Sequence, residues 1–210
     1  RELDDLASGG RVDVLVVGGG VTGVGCALDA ASRGLSVALV EADDLAFGTS
    51  RWSSKLVHGG LRYLAHGEFG LAHESAVERG VLMTRTAPHL TRPMAQLFPD
   101  YGATTGQLLT RAGLHAGDAL RRAARTPSSL LPRPRAVPSA ETLALAPGLR
   151  SAGLRGGLLS FDGALTDDAR LVVAIARTAA AHGARILTRI SATELAADRA
   201  VARDRLTGST

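Results

Sequence analysis

The stretch DVLVVGGGVTGVGCALDAASRGLSVALVE, residues 13–41, decides the fold. Val12–Val17 is a β-rich apolar run that ends in glycines, the pattern of a buried strand. An alanine-rich helix follows from about Val21 to Ser32 and stops at Arg33-Gly34. Ser36–Val40 reads as a second buried strand, closed by Glu41. Strand, helix, strand in this span is a βαβ unit. Its first turn carries Gly18-x-Gly20-x-x-Gly23, with Gly19 between the first two glycines. Gly18 permits the tight turn out of the strand. Gly20 leaves room for a pyrophosphate at the backbone, and Gly23 lets helix and strand approach. The helix N-terminus offers amide donors and partial positive charge to phosphates. Glu41 can accept from both hydroxyls of an adenosine ribose, and its charge repels a 2′-phosphate, which disfavours NADP. A glycine-rich turn of another α/β protein is the bland alternative; the complete strand–helix–strand–acid context argues for a dinucleotide. Cys26, on this helix, is expected as a small buried core thiol.

Just beyond lies TSRWSSKLVHGGLRYL, Thr49–Leu64. It holds Lys55, the one lysine among 24 basic residues, together with hydroxyls, an imidazole, paired glycines and an Arg–Tyr pair. A polar surface loop entering a helix would have such a composition. Its position directly after the fingerprint favours a segment that wraps a phosphate-bearing cofactor and then meets a small anion. The fingerprint alone does not separate FAD from NAD. A flavin enzyme must cover a long extended cofactor from pyrophosphate to ring, and this segment suits that task.

Composition excludes several classes. The net charge of +4 and pI near 10.1 reflect arginine usage, and 3% aromatics are too few for base-stacking platforms, so no nucleic-acid partner is expected. One cysteine rules out an intrachain disulfide and suits a reducing compartment. No apolar run approaches the roughly 18 residues needed to span a bilayer. No signal-peptide pattern, internal repeat or metal site is expected. The chain begins at Arg1 and ends in a polar run, and it reads as a piece of something longer.

Residues 1–11 read as a polar lead-in. Phe69 to about Ala87 reads as an amphipathic helix closed by Pro88, with Leu71, Val77, Val81 and Leu82 near one side. Met94–Tyr101 fits a strand, and Thr105–Ala124 a helix. Thr126–Pro138, with four prolines, reads as a loop, after which Ser139 can cap a short helix to Ala146. Gly153–Phe161 reads as a strand softened by glycine where backbone comes close. Thr166-Asp167-Asp168 starts a helix to about Ala181, with acids at the positive end of its dipole. Ala184–Ile190 is a strand returning to the parallel sheet. Six arginines between Arg111 and Arg135 face one acid, Asp118. They suit either contact with an anionic membrane surface or a solvated helix face and loop.

The sequence resembles the FAD-dependent, quinone-linked glycerol-3-phosphate dehydrogenase family, within the amino-acid-oxidase-like flavoproteins. Residues 13–50, SSKLVHGGLRYL at 53–64 and DDARLV at Asp167–Val172 carry the likeness. The resemblance implies an α/β fold: a Rossmann-like FAD-binding parallel sheet over residues 11–91 and 166–210, with residues 92–165 as part of an inserted α+β substrate domain. It implies that Gly18, Gly20, Gly23 and Glu41 hold the ADP half of FAD. Thr49, Ser50, Ser53, Ser54, Lys55, Leu56, His58, Gly59 and Gly60 would line the pyrophosphate and ring end, and Arg62 and Tyr63 would face the substrate. His58 has four readings: a catalytic base, a hydrogen-bond partner of the ring, a covalent attachment point, or a histidine satisfied by nearby backbone.

The implied reaction is oxidation of sn-glycerol 3-phosphate to dihydroxyacetone phosphate, with electrons passed to a membrane quinone. That implies a cytoplasmic enzyme peripheral on the inner face of the cell membrane. Two alternatives stay open, an oxidase using oxygen and a non-catalytic flavin-binding fragment. The resemblance also places further phosphate-binding cations beyond Thr210, so this piece alone is expected to be inactive. Oligomeric state is left open.

Overall fold

A computed structural model describes residues 2–102 and 105–210, and for residues 2, 3, 62, 65, 105 and 106 the backbone alone. In chain order the elements are α1 (Glu2–Ala7), β1 (Val14–Val17), α2 (Val21–Ser32), β2 (Val37–Glu41), β3 (Leu56–Val57), α3 (Leu61–Ala65) and α4 (Phe69–Val81). Then come β4 (Thr91–Asp100), α5 (Thr105–Ala123), β5 (Arg135–Pro138), α6 (Ser139–Leu145), β6 (Gly156–Leu165), α7 (Asp168–Ala181), β7 (Arg185–Thr188), β8 (Ile190–Leu195) and β9 (Ala200–Asp204). A 3₁₀ turn spans Thr49–Trp52. Contacts divide the chain into two units, residues 1–54 with 167–210, and residues 55–166.

The first unit is a parallel sheet in the order β1-β2-β7. Val14 pairs with Val37 and Ala38 with Arg185, so the segment after α7 returns beside β2 as expected. β2 reads buried at four successive positions, as a central parallel strand must. The core joins Val16, Val37 and Leu39 of the sheet to Val24, Ala27 and Ala31 of α2 and to Val172, Ala176 and Ala179 of α7. Alanines on both helices let their backbones approach, while each fully buried valine or leucine contributes about 1.5–3 kcal/mol. Cys26 is exposed, contrary to expectation. The buried face of α2 runs through Val24, Ala27 and Ala31, and position 26 lies off that stripe. The polar lead-in carries α1. One further expectation fails here: the strand after α7 breaks at Arg189, whose φ of 64° turns the chain into an antiparallel β8–β9 hairpin.

The second unit is built on β6, which pairs along all ten residues with β4. β4 has no other neighbour in this sheet, and an edge strand tolerates Pro93 and Pro99. On its other side β6 pairs with β5 and then β3. β5 lies within the stretch expected as loop, since residues 135–138 find partners in Gly156–Leu159. At Gly156, φ is 148° and an added Cβ would lie 2.5 Å from Val137 O, so the glycine does mark a close backbone approach. α6 starts at Ser139 directly after Pro138, the N-cap residue, and no side chain caps it; Ser139 is inside the helix instead. α4 ends at Val81 and continues as a π turn, Leu82–Thr86, rather than as α-helix to Ala87.

Residues 55–91, expected with the nucleotide-binding sheet, make their contacts within this second unit, because β3 pairs with β6 and α4 packs beside α3 and α5. Of the arginines of 111–135, one is buried and three more are paired with acids although exposed. Arg121 is 5% exposed, bonds Asp118 at 2.8 Å and donates to Thr126 O. Arg122 also meets Asp118, Arg111 meets Asp100, and Arg135 pairs with Glu141, whose carboxyl that contact holds below its usual value. Among the described residues no helix is long and apolar enough to cross a membrane.

Candidate functional site

The first unit gathers the fingerprint residues into one cradle. Gly18 sits at φ 109°, a conformation side chains rarely adopt, and its N–H donates to Val40 O at 2.9 Å. A Cβ on Gly23 would lie 1.9 Å from Gly18 O, so only glycine lets α2 start this close to β1. Gly20 is the N-cap residue of α2, and no side chain caps it. Ser50 serves the next position: its Oγ accepts from Val21 N at 2.9 Å. The hydroxyl therefore sits at the positive end of α2, where a phosphate oxygen would be bound.

Glu41 occupies the expected place at the end of β2, and the structure shows what holds it there. Oε2 accepts from Gly19 N at 2.6 Å and Oε1 from Asp43 N at 2.7 Å. A carboxylate has about four lone-pair sites, so acceptor capacity remains for a ribose. A Cβ on Gly19 would come within 2.9 Å of Leu45 Cδ2 and 3.0 Å of Glu41 Cβ, so this middle position is tight and a side chain there would force its neighbours to shift. Thr49 is exposed in the same turn as Ser50.

Ser53 is tied down differently. Its N–H and hydroxyl both donate to Asp168 Oδ2, at 3.1 and 2.8 Å. This gives the DDARLV segment two jobs. Asp167 caps α7 by accepting from Arg170 N at 3.0 Å, and Asp168, 5% exposed, anchors Ser53. Ser54 is exposed.

The remaining candidates lie in the second unit. Lys55 is exposed at φ 58°, and its carbonyl accepts from Leu165 N at 2.7 Å. Leu56 is half-buried in β3. His58, Gly59 and Gly60 form a turn laid against α4. Gly60 is left-handed, with φ 84°, and a Cβ there would meet Ala72 O at 2.4 Å. A Cβ on Gly59 would lie 1.8 Å from Arg79 Nη1. His58 is largely exposed, with Nδ1 3.8 Å from Asp162 Oδ2. The turn leads into α3, which carries Arg62 and Tyr63. Tyr63 is 38% exposed, and the Arg62 side chain lies outside the described residues. A cavity of about 360 Å³ is lined by Val57, His58, Arg79 and Leu82 among others.

Sequence reasoning missed Arg79 and Asp162, a buried ion pair at 2.6 Å behind the turn. A signal was present. Arg79 shares the small-residue stripe of α4 with Ala72 and Ala76, and Asp162 interrupts the apolar run of β6.

Comparison with known proteins agrees with the geometry. Residues 13–210 match the family described as FAD dependent oxidoreductase. The chain is 60% identical over 208 residues to glycerol-3-phosphate dehydrogenase 1 of Mycobacterium tuberculosis, covering 98% of this chain and 40% of that protein. It is 42% identical over 176 residues to the aerobic glycerol-3-phosphate dehydrogenase of Staphylococcus aureus, covering 83% of this chain and 30% of the relative. The crystal structure of the Bacillus halodurans glycerol-3-phosphate dehydrogenase complexed with FAD superposes with a TM-score of 0.64 at 31% identity, over 98% of this chain and 33% of that one. The chain thus spans two-fifths or less of the length of these relatives. With Gly18 and Gly23 in positions that demand glycine and its match running from the first strand to the last residue, the chain belongs to the FAD dependent oxidoreductase family.

Proposed function

We propose that this chain is the FAD-holding portion of a glycerol-3-phosphate dehydrogenase, which oxidises sn-glycerol 3-phosphate to dihydroxyacetone phosphate. The observation that carries the reading is the 60% identity to such an enzyme over 208 residues, a span that includes the fingerprint and the SSKLVHGGLRYL segment. The cradle fits the cofactor: α2 presents its N-terminus beside glycines that leave the backbone bare, and Glu41 keeps acceptor capacity at the ribose end.

Bound FAD supplies the acceptor for the hydride that leaves the secondary carbinol carbon. The chain's own residues do the rest. Gly18, Gly19, Gly20 and Gly23 admit the pyrophosphate, and Glu41 accepts from the adenosine ribose. Thr49, Ser50, Ser53, Ser54, Lys55, Leu56, Gly59 and Gly60 line the path to the ring. Arg62 and Tyr63 bind the substrate, the guanidinium offering two donors at once to phosphate oxygens. His58 takes the hydroxyl proton at its imidazole. Electrons leave for a quinone, and the enzyme works on the cytoplasmic side, peripheral to the membrane. Its relatives are named dehydrogenases rather than oxidases, which supports an acceptor other than oxygen.

The test is anaerobic titration of the full-length protein with sn-glycerol 3-phosphate, followed by reoxidation with a soluble quinone or with oxygen. Bleaching of the flavin band and recovery by quinone are expected. No bleaching refutes the substrate, and recovery by oxygen alone refutes the acceptor. Replacement of Glu41 by Gln is expected to weaken FAD binding, because an amide has one acceptor oxygen where the carboxylate has two.

A further inference from the structure

The antiparallel register of β3 and β6 pairs Leu56 with Ala164 and Val57 with Gly163. Continued by one residue, it sets His58 opposite Asp162. Gly163 makes the close pairing possible, since a Cβ there would lie 3.1 Å from Val57 O. The imidazole is consequently delivered to one carboxylate by the strand pairing itself.

That carboxylate is divided between two duties. Oδ1 accepts from Arg79 Nη1 at 2.6 Å and from Gly163 N at 2.9 Å. Oδ2 faces His58 Nδ1 at 3.8 Å, within ion-pair reach although longer than a hydrogen bond. Arg79 cannot serve as a substrate anchor. It is 6% exposed, one donor is committed to Asp162, and the Gly59 backbone lies directly on its guanidinium. A buried charge pair of this kind costs desolvation and is a poor source of stability unless it does something else. Here it holds Asp162 with one oxygen turned to His58 and gives Gly59 a rigid floor.

We propose that Asp162 and Arg79 are positioning residues, which fix the His58 imidazole and the Gly59-Gly60 turn for the hydride-transfer step. The proposal rests on the functional reading above, in which His58 lies at the ring end of the cofactor. Asp162 acts through His58, and Arg79 acts through Asp162.

The test uses the full-length protein. The rate of flavin reduction by sn-glycerol 3-phosphate and the substrate Kd are measured for wild type, Asp162→Asn, His58→Gln and the double variant. Asp162→Asn is expected to slow reduction by about tenfold or more with substrate Kd unchanged, since small misplacements of a catalytic group are costly. In the His58→Gln background the same change is expected to matter by less than about twofold, because residues acting in series do not add. Equal slowing in both backgrounds, or no slowing in either, overturns the proposal. If Asp162→Asn does not fold, Arg79→Lys in the same cycle decides it, with an intermediate slowing that also vanishes without His58. Hydrogen exchange of residues 57–64 in the FAD-free protein gives a readout independent of turnover. Faster exchange in Asp162→Asn is expected, and unchanged exchange counts against positioning. Wild-type protein that is not reduced by sn-glycerol 3-phosphate would refute the functional reading, while the exchange experiment would still judge the positioning contact.

Discussion

Asp168 Oδ2 accepts two hydrogen bonds from Ser53, one from its N–H and one from its hydroxyl, although 115 residues separate the pair. The other oxygen of Asp168 accepts from Ala169 N at 3.0 Å, inside the first turn of α7. The start of α7 thereby holds the end of the 49–52 turn, and Ser50 of that turn accepts from Val21 N at the start of α2. Replacement of Asp168 by Ala leaves the Ser53 amide without this acceptor and is expected to cost about 1–3 kcal/mol. Asp168→Asn keeps one carbonyl oxygen and should cost less. Thermal unfolding of both variants checks the order, and FAD affinity should fall in the same order.

Two glycines of α2 should respond oppositely to the same substitution. Gly23→Ala drives a methyl to within 1.9 Å of Gly18 O and is expected to destabilise by about 1–3 kcal/mol or more and to abolish FAD retention. Gly25→Ala meets nothing within 4 Å and should stabilise by up to about 1 kcal/mol through helix propensity. Denaturant titration of the two variants decides this.

Arg121 and Arg122 are neighbours in sequence with different fates. Arg121→Ala is expected to cost toward the lower end of about 3–5 kcal/mol, because Asp118 keeps a second cation in Arg122. The Arg122 side chain is 61% exposed, so Arg122→Ala should stay within about 0.5 kcal/mol. Equal losses would show that Arg121 is not the buried member of the pair.

Arg79 Nε and Arg121 Nη2 have no hydrogen-bond partner among the described residues, and both side chains line a cavity of about 30 Å³. That volume holds one water. Its other polar walls are Asp118, Asp162, Gln96 and Ser160. The two acids balance the two arginines, which favours water over an anion. A crystal structure of the full-length protein is expected to show an ordered water bonded to at least one of the two guanidinium nitrogens.

Asp13 at the foot of β1 accepts from the Ser36 hydroxyl at 2.6 Å and from its N–H at 2.8 Å. The hydroxyl first, and the amide second, hold its carboxyl below the usual 3.8. A folded value below the unfolded one means the contribution is present at neutral pH and lost as pH falls through the folded value. Ser36→Ala should therefore be less stable than wild type at neutral pH, with the gap closing below pH 3.8. Unfolding curves across that range provide the check.

Much of the βαβ unit was legible in residues 13–41, because its signals are local. A strand, a glycine turn and an amphipathic helix each depend on neighbours within a few residues, so α2 runs from Val21 to Ser32 as expected. Glu41 was readable for the same reason, as the residue where β2 ends. Residues whose partners lie far along the chain left fainter marks. Nothing near Arg121 in sequence announces burial, and only the packing of α5 removed it from the surface. β5 was hidden in a proline-rich stretch because a strand of four residues exists only when another strand accepts it.

The sequence by itself determined the βαβ unit, the class of cofactor it suits and the segment that follows it. Only the tertiary structure decided which charges are buried and paired, that Asp168 holds Ser53, and that Asp162 stands opposite His58. The physical reason is that backbone conformation follows from local sterics and periodicity. A buried charge, by contrast, is tolerated only where the fold brings a counter-charge from a distant part of the chain.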